Sequence, residues 1–212
     1  NFINKKKIIV GDCKNSACTT FSFHPVKNIT TVEGGAITTN SSKLYNSLKL
    51  IRNHNLKRTN VNDPYKLLGP SLNFRMGEIN AWLGIKQLET LSFFKKKRIN
   101  FVKYFIKKTK HLKNDISILN DLSKNIFWHL LSIKIKKKSK KKLIKFLLKN
   151  KIGCQIHYKP LHKHNVFKNT LKMQSYKNSN SFYNSQLTLP LHSKLTKKDL
   201  NFIIKKLFIF FK

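Results

Sequence analysis

At 212 residues and 40% hydrophobic content the chain can form one large or two small domains with a core, and its 44 basic against 8 acidic residues give a net charge of +36. Three cysteines, Cys13, Cys18 and Cys154, exclude an even disulfide framework and fit free thiols in a reducing cytosol, and no run reaches the roughly 18 apolar residues of a membrane helix. The charge alone points to nucleic acid or another polyanion. The lysines, however, are spread along the whole chain among abundant Asn, Ile and Phe, which reads as coding bias more than as a designed patch.

Asn1-Phe2-Ile3-Asn4 carries neither an initiator methionine nor a signal segment, so the gene product is expected to begin upstream. Lys5-Lys6-Lys7, Ile8-Ile9-Val10 and a Gly11-Asp12 turn read as a strand and hairpin. A short strand with Phe21 and Phe23 follows, then a His24-Pro25 turn, Lys27, a threonine run, the Glu33-Gly34-Gly35 turn and a second strand, Ala36 to Thr39. Lys27 thus falls on a loop between two strands expected to be buried. An amine held there can be desolvated, and a lowered pKa frees it as a nucleophile.

Ser41 caps a helix whose Leu44, Leu48 and Ile51 recur at helical spacing and which closes at residues 52–55. Residues 55–70, with Asn62-Asp63-Pro64 and Gly69-Pro70, read as a long loop. From about 77 to 110 one long or broken helix is expected. Its first stripe, with Ile79, Trp82, Leu83 and Leu88, belongs to a core or a subunit interface, and its second carries Ile99, Val102, Phe105 and Ile106.

Beyond about 113 the pattern is that of a small α/β lobe. Strands are expected over Phe127–Ile135, Cys154–Tyr158 and Leu187–Leu191. Ser139 caps a helix with Leu143, Ile144, Leu147 and Leu148, ended by Gly153, and Thr196 with Asp199 starts a final helix carrying Leu200, Ile203, Ile204, Leu207, Phe208 and Phe211. The Lys136–Lys142 cluster is a solvated turn and helix start. His157, His162 and His164 have no carboxylate neighbour in sequence, and no metal site is expected.

Two stretches carry a family resemblance. SFHPVKNITTVEGGAITTN resembles the pyridoxal-phosphate lysine segment of the DegT/StrS-type sugar aminotransferases, and Asn73-Phe74-Arg75 through Gln87-Leu88 is similar to their N-[YF]-R-x-x-x-[IL]-x-A-x-[LI]-G-x-x-Q-L signature. Ile156-His157-Tyr158-Lys159-Pro160-Leu161 is similar to the V-H-Y-K-P-I stretch of members that make the 4-amino sugar precursor of pseudaminic acid. Val32 before the E-G-G turn and Gly77-Glu78 depart from the family pattern.

The resemblance implies an α/β fold, fold-type-I, with residues 1–112 as the C-terminal part of the large pyridoxal-phosphate-binding domain plus a connecting helix, and 113–212 as the small C-terminal domain. It implies Lys27 as the catalytic Schiff-base residue, Ser22 on the cofactor phosphate and Asn73 reaching the phosphate of a neighbouring subunit. His157, Tyr158, Lys159 and Pro160 then face the substrate, while Arg75 and His54 are weaker candidates for an anionic donor or substrate.

The expected activity is transfer of an amino group from glutamate to a UDP-linked 4-keto-6-deoxy sugar in a cytoplasmic homodimer with a shared active site, without a membrane or specific nucleic-acid partner. The family's ring-pairing aspartate, stacking aromatic and phosphate loop lie upstream and are not in this chain, which alone is expected to be inactive. Two rivals stand beside this reading: a basic nucleic-acid-binding module, supported by charge alone, and an inactive truncated remnant of the aminotransferase.

Overall fold

The computed structural model describes residues 9–119, 126–136, 139–167 and 176–212, and the backbone of 2–3 and 6–7. It divides into two compact units, Asn1–Leu91 and Ser92–Lys212.

The first unit consists of hairpins and helices with little interior. Strands β1 (Phe2–Ile3) and β2 (Lys6–Lys7) pair antiparallel. Ile9 and Val10 are exposed and leave the expected strand for a turn, closed by the Asp12 N–H donating to the Ile9 carbonyl at 3.1 Å; Ile8 lies outside the described residues. Strands β3 (Thr19–Ser22) and β4 (Gly35–Thr38) form an antiparallel hairpin in which Ser22 faces Gly35 and Thr19 faces Thr38. Helix α1 (Ser42–Arg52) starts as expected, with Ser41 Oγ accepting the Leu44 N–H at 3.2 Å, and is left through His54 and Asn55, both at positive φ.

Residues 55–70 correct the expectation of a loop. Strands β5 (Leu56–Arg58) and β6 (Tyr65–Leu67) pair as a second hairpin. Its sequence hid it because Val61, Tyr65, Leu67 and Leu68 are all exposed, so no buried face imposes alternation. The long helical segment is broken at Thr90 into α2 (Glu78–Glu89) and α3 (Leu91–Lys108). The α2 stripe is no core: Ile79, Trp82, Ile85 and Leu88 are exposed, as is Phe74 before it. Among the described residues of this unit only Cys13 and Thr31 are buried.

The second unit carries the hydrophobic core. Strands β7 (Ile116–Ile118), β8 (Leu131–Ile135) and β9 (Gln186–Leu189) form one antiparallel sheet in that order. Leu131, Ile133, Ile135, Leu187 and Leu189 pack with Val102 and Phe105 of α3, Leu143 and Leu147 of α4 (Lys140–Lys149), and Leu200, Ile203, Ile204, Leu207 and Phe211 of α6 (Lys197–Phe211). The opposite face of β8 and β9 is polar, with Ser132, Gln186 and Thr188. The Thr196–Asp199 capping box is complete, and the Thr196 hydroxyl, donating to Asp199 Oδ2 at 2.6 Å, lowers the pKa of that carboxyl.

Four expectations in this unit need correction. Phe127 to Leu130 are not strand, because the Trp128 and His129 carbonyls accept from the guanidinium of Arg98 at 3.2 Å each. Cys154–Tyr158 contributes only an isolated bridge, Gln155 to Thr188, because the next ladder donor, the His157 N–H, is taken by the Gln186 side chain at 3.0 Å. Ser139 sits at the start of α4 without a side-chain capping bond, and the left-handed residue after that helix is Lys151 at φ 59°, not Gly153. Helix α5 (Lys177–Ser185) was not anticipated, since its Asn- and Ser-rich sequence has weak helix propensity.

Arg98 is buried with no carboxylate partner among the described residues, and a third carbonyl, that of Leu191, accepts from it at 2.9 Å. Burial lowers its pKa from the ordinary guanidinium value, but an arginine stays charged at neutral pH. Arg98→Met is expected to lower stability by about 1–3 kcal/mol, since it strands buried carbonyls. Urea unfolding checks this; an unchanged midpoint contradicts the assigned role.

Candidate active site

Lys27 is half-buried on the loop joining β3 to β4. Its backbone N–H donates to the His24 carbonyl at 2.9 Å, closing the His24-Pro25 turn. The expectation that two buried strands flank it is corrected, because β4 exposes Gly35, Ala36 and Ile37. Lys27 makes no ion pair among the described residues.

The rest of the loop is tied down by its own polar groups. The Thr31 N–H and the Thr30 hydroxyl both donate to the Phe23 carbonyl, at 3.0 and 3.2 Å. The Phe23 N–H donates to the Gly34 carbonyl at 2.9 Å, and the Thr31 hydroxyl to that of Glu33 at 2.8 Å. Glycine is required at Gly35, where a Cβ would stand 2.7 Å from the Phe21 carbonyl oxygen.

Helix α2 closes the loop from outside. The Asn80 side-chain amide donates to the Thr31 carbonyl and, at 3.3 Å, to that of Glu33. Gly84 lets α2 approach, since a Cβ there would lie 3.0 Å from the Thr31 methyl, and a Cβ on Gly34 would meet Met76 at 2.9 Å. The lysine segment and the N-F-R signature are therefore in contact. Sequence reasoning missed Asn80 and Thr31: Asn80 occupies a variable position of the signature, and Thr31 is one of two adjacent threonines.

Ser22 is exposed at the end of β3, its Oγ accepting the His24 N–H at 3.4 Å, so its hydroxyl proton points to no fixed partner in that bond. Asn73 is exposed, bridges backbone to backbone with Asn53, and accepts the Arg75 N–H at 3.1 Å. The Arg75 guanidinium donates to the Asn53 side chain, and the His54 N–H donates to the Leu72 carbonyl at 3.3 Å. Both weaker candidates thus serve the junction of α1 with the signature segment. For pyridoxal phosphate the donor set fits: an amine with no carboxylate partner among the described residues and an exposed hydroxyl five residues earlier, at the loop end of one hairpin.

His157, Tyr158, Lys159 and Pro160 lie together in the second unit. The ring of His157 is half-buried, with Nδ1 2.9 Å from Thr188 Oγ1, whereas Tyr158 and Lys159 are exposed. His164 Nε2 lies 3.3 Å from the Lys159 carbonyl, and His162 Nε2 lies 3.1 Å from Asn180 with its ring stacked on Tyr176. No group of three metal-ligating side chains occurs among the described residues.

The sequence profile of the DegT/DnrJ/EryC1/StrS aminotransferase family matches residues 6–208. This chain belongs to that family.

Among the family's characterised members, the UDP-4-amino-4,6-dideoxy-N-acetyl-beta-L-altrosamine transaminase of Campylobacter jejuni is 31% identical over 204 residues, 89% of this chain and 50% of the relative. Helicobacter pylori PseC, an aminotransferase involved in the biosynthesis of pseudoaminic acid, superposes with a TM-score of 0.85 at 29% identity over 92% of this chain and 53% of its own. The Streptococcus pneumoniae protein Spr1654, in its PLP form, does so with a TM-score of 0.82 at 27% identity, covering 92% and 51%. The chain spans about half the length of the curated relatives it matches. Its fold is the α/β fold of the pyridoxal-phosphate-dependent, fold-type-I class. Family membership, not net charge, decides its class, and the nucleic-acid module is set aside.

If Asn80 holds the lysine loop, Asn80→Asp sets a carboxylate oxygen against two carbonyl oxygens in place of a donor. The expected result is a tenfold or greater loss of amide hydrogen-exchange protection at Phe23 and Thr31, about what the loss of one buried hydrogen bond produces. Unchanged protection would show that the loop is fixed without α2.

Proposed function

We propose that this chain is part of a pyridoxal-phosphate-dependent aminotransferase that moves an amino group from glutamate to a UDP-linked 4-keto-6-deoxy sugar in the making of cell-surface sugars. The observation that carries this reading is Lys27: an amine with no carboxylate partner among the described residues, on a loop fixed at Thr31, inside the stretch that matches the family. The printed activities of the Campylobacter and Helicobacter relatives support the substrate class.

When bound, the cofactor supplies the electron sink that stabilises negative charge on the reacting carbon. Lys27 Nζ would hold the cofactor, and its freed amine would accept and return the proton at the reacting carbon. Ser22 donates its hydroxyl to the cofactor phosphate. Asn73 would reach the phosphate of a neighbouring subunit with its side-chain amide N–H, making the site a shared one in a homodimer. Residues 1–112 then serve as the end of the cofactor domain with its connecting helix, and 113–212 as the small domain.

His157, Tyr158, Lys159 and Pro160 form the sugar-nucleotide side, where an imidazole, a phenol and an ammonium suit phosphates and hydroxyls. No described helix is long and apolar enough to cross a membrane, and the sugar-nucleotide substrate places the work in the cytoplasm.

In the full-length protein Lys27→Ala is expected to lower turnover by at least about 10³-fold, since it removes both the covalent anchor and the proton carrier. Lys27→Arg should fail equally, because a guanidinium stays protonated and is no nucleophile. Steady-state kinetics with the UDP-linked keto-sugar decide the matter. Turnover within tenfold of the parent in Lys27→Arg would overturn the assignment.

A further inference from the structure

We propose that helix α5 and the residue that follows it, Gln186, form a mount that grips residues 157–163 at both ends, with Gln186 and Asn180 as positioning residues for Tyr158 and Lys159 between them. The use assigned to the mount, presenting those two side chains to the sugar nucleotide, rests on the reading that His157 to Pro160 face the substrate. The mount itself does not.

The first grip replaces a strand pairing. Gln155 pairs with Thr188 through two backbone bonds, its N–H donating to the Thr188 carbonyl at 3.0 Å and its carbonyl accepting the Thr188 N–H at 2.8 Å. Two residues further along an antiparallel ladder, His157 would pair with the backbone of Gln186. That backbone is already committed, because the Gln186 N–H donates to the Phe182 carbonyl and closes α5. The His157 N–H donates instead to Gln186 Oε1 at 3.0 Å, and the amide of this fully buried side chain donates to Thr188 Oγ1 at 2.7 Å. A side chain thus stands in for a backbone carbonyl, and the chain leaves the sheet edge at His157.

The second grip comes from α5 itself. Its Asn- and Ser-rich sequence favours a helix only weakly and none of its residues is buried, so tertiary contacts must hold it. Those contacts fall on one face. Tyr176, just before the helix, Asn180 and Tyr183 follow the i, i+4, i+7 spacing of a helical stripe, and each meets the far end of the gripped segment. The ring of Tyr176 stacks on His162 with centroids 4.4 Å apart, Asn180 Oδ1 lies 3.1 Å from His162 Nε2, and the Tyr183 ring centroid lies 4.9 Å from Lys163 Nζ. A side-chain amide can donate or accept, so the Asn180–His162 bond forms with either tautomer of the ring.

Between the grips Tyr158 and Lys159 are exposed, whereas His157, His162 and Lys163 are half-buried. A segment fastened at both ends offers its middle side chains at a smaller entropic cost than a free loop does, so the mount acts on affinity and not on the chemical step.

The test uses the full-length protein loaded with pyridoxal phosphate. Gln186→Met keeps the length of the side chain and removes its hydrogen bonds, while Asn180→Ala, on a half-buried helix face, leaves the core intact and removes part of the second grip. Each is expected to raise KM for the UDP-linked 4-keto sugar about 5–10-fold, the worth of about one hydrogen bond, with kcat within about twofold. In a Tyr158→Phe/Lys159→Met background, where the presented groups are gone, the same substitutions should change KM by less than about twofold. Amide hydrogen exchange reads the mount apart from the substrate: Gln186→Met should cost the His157 N–H about tenfold in protection, and Gln186→Glu, which keeps an acceptor oxygen, should restore it. Unchanged protection in Gln186→Met overturns the first grip, and unchanged KM in Asn180→Ala overturns the second. Equal KM effects with and without Tyr158 and Lys159 overturn the positioning role, since both residues then act on stability alone. A parental KM in the Tyr158→Phe/Lys159→Met protein itself overturns the substrate-side reading and the positioning role with it, while the exchange result still decides the mount.

Discussion

The first unit is organised by the commitment of a single threonine. Thr31 is one of two buried residues among those described in this unit, and each polar group it owns is engaged: its N–H with Phe23, its hydroxyl with Glu33 and its carbonyl with Asn80. Buried polar groups without partners are costly, so these bonds act less by adding stability than by leaving the loop no alternative of equal energy. Lys27, four residues earlier in the same loop, takes its position from them. A nucleophile that must meet one carbon of a cofactor needs such a mounting, since small displacements of reacting groups are expensive in rate.

Burial differs sharply between the two units. The second closes a core from three helices and one face of a sheet, whereas the first leaves Phe74, Ile79, Trp82, Ile85 and Leu88 exposed along one continuous stretch. An apolar surface of that kind marks an interface in a finished protein. The proposed homodimer would cover such a surface. The same stretch holds Asn73, so the residue proposed to act across subunits stands beside the surface that most needs a partner.

Much of this was legible from residues alone where one face is buried. Leu143 and Leu147 of α4 and the stripe of α6 follow from periodicity because a core enforces it, whereas Leu148 is exposed; the Ser41 cap and the Thr196–Asp199 box follow from local capping chemistry. What was missed lies where no such constraint writes itself into sequence. The β5–β6 hairpin has no buried face, and the strand expected at Cys154–Tyr158 is stopped by a glutamine 29 residues beyond His157. Arg98, one cation in a Lys-Lys-Lys-Arg run, is singled out only by the three carbonyls that fold around it. For the candidate site, the lysine and its glycine turn stand out in sequence, while Asn80, Gln186 and Thr188 are ordinary residues until tertiary contact gives them partners.

The central claim is that one lysine among many is the covalent one. The direct measurement is borohydride reduction of the full-length protein loaded with pyridoxal phosphate, followed by proteolysis and mass mapping of the labelled peptides. Surface lysines react with an aldehyde weakly and without preference, so a mounted nucleophile should stand apart. The account predicts one dominant labelled peptide, the one containing Lys27. Label spread over many lysines with Lys27 unmarked would contradict it.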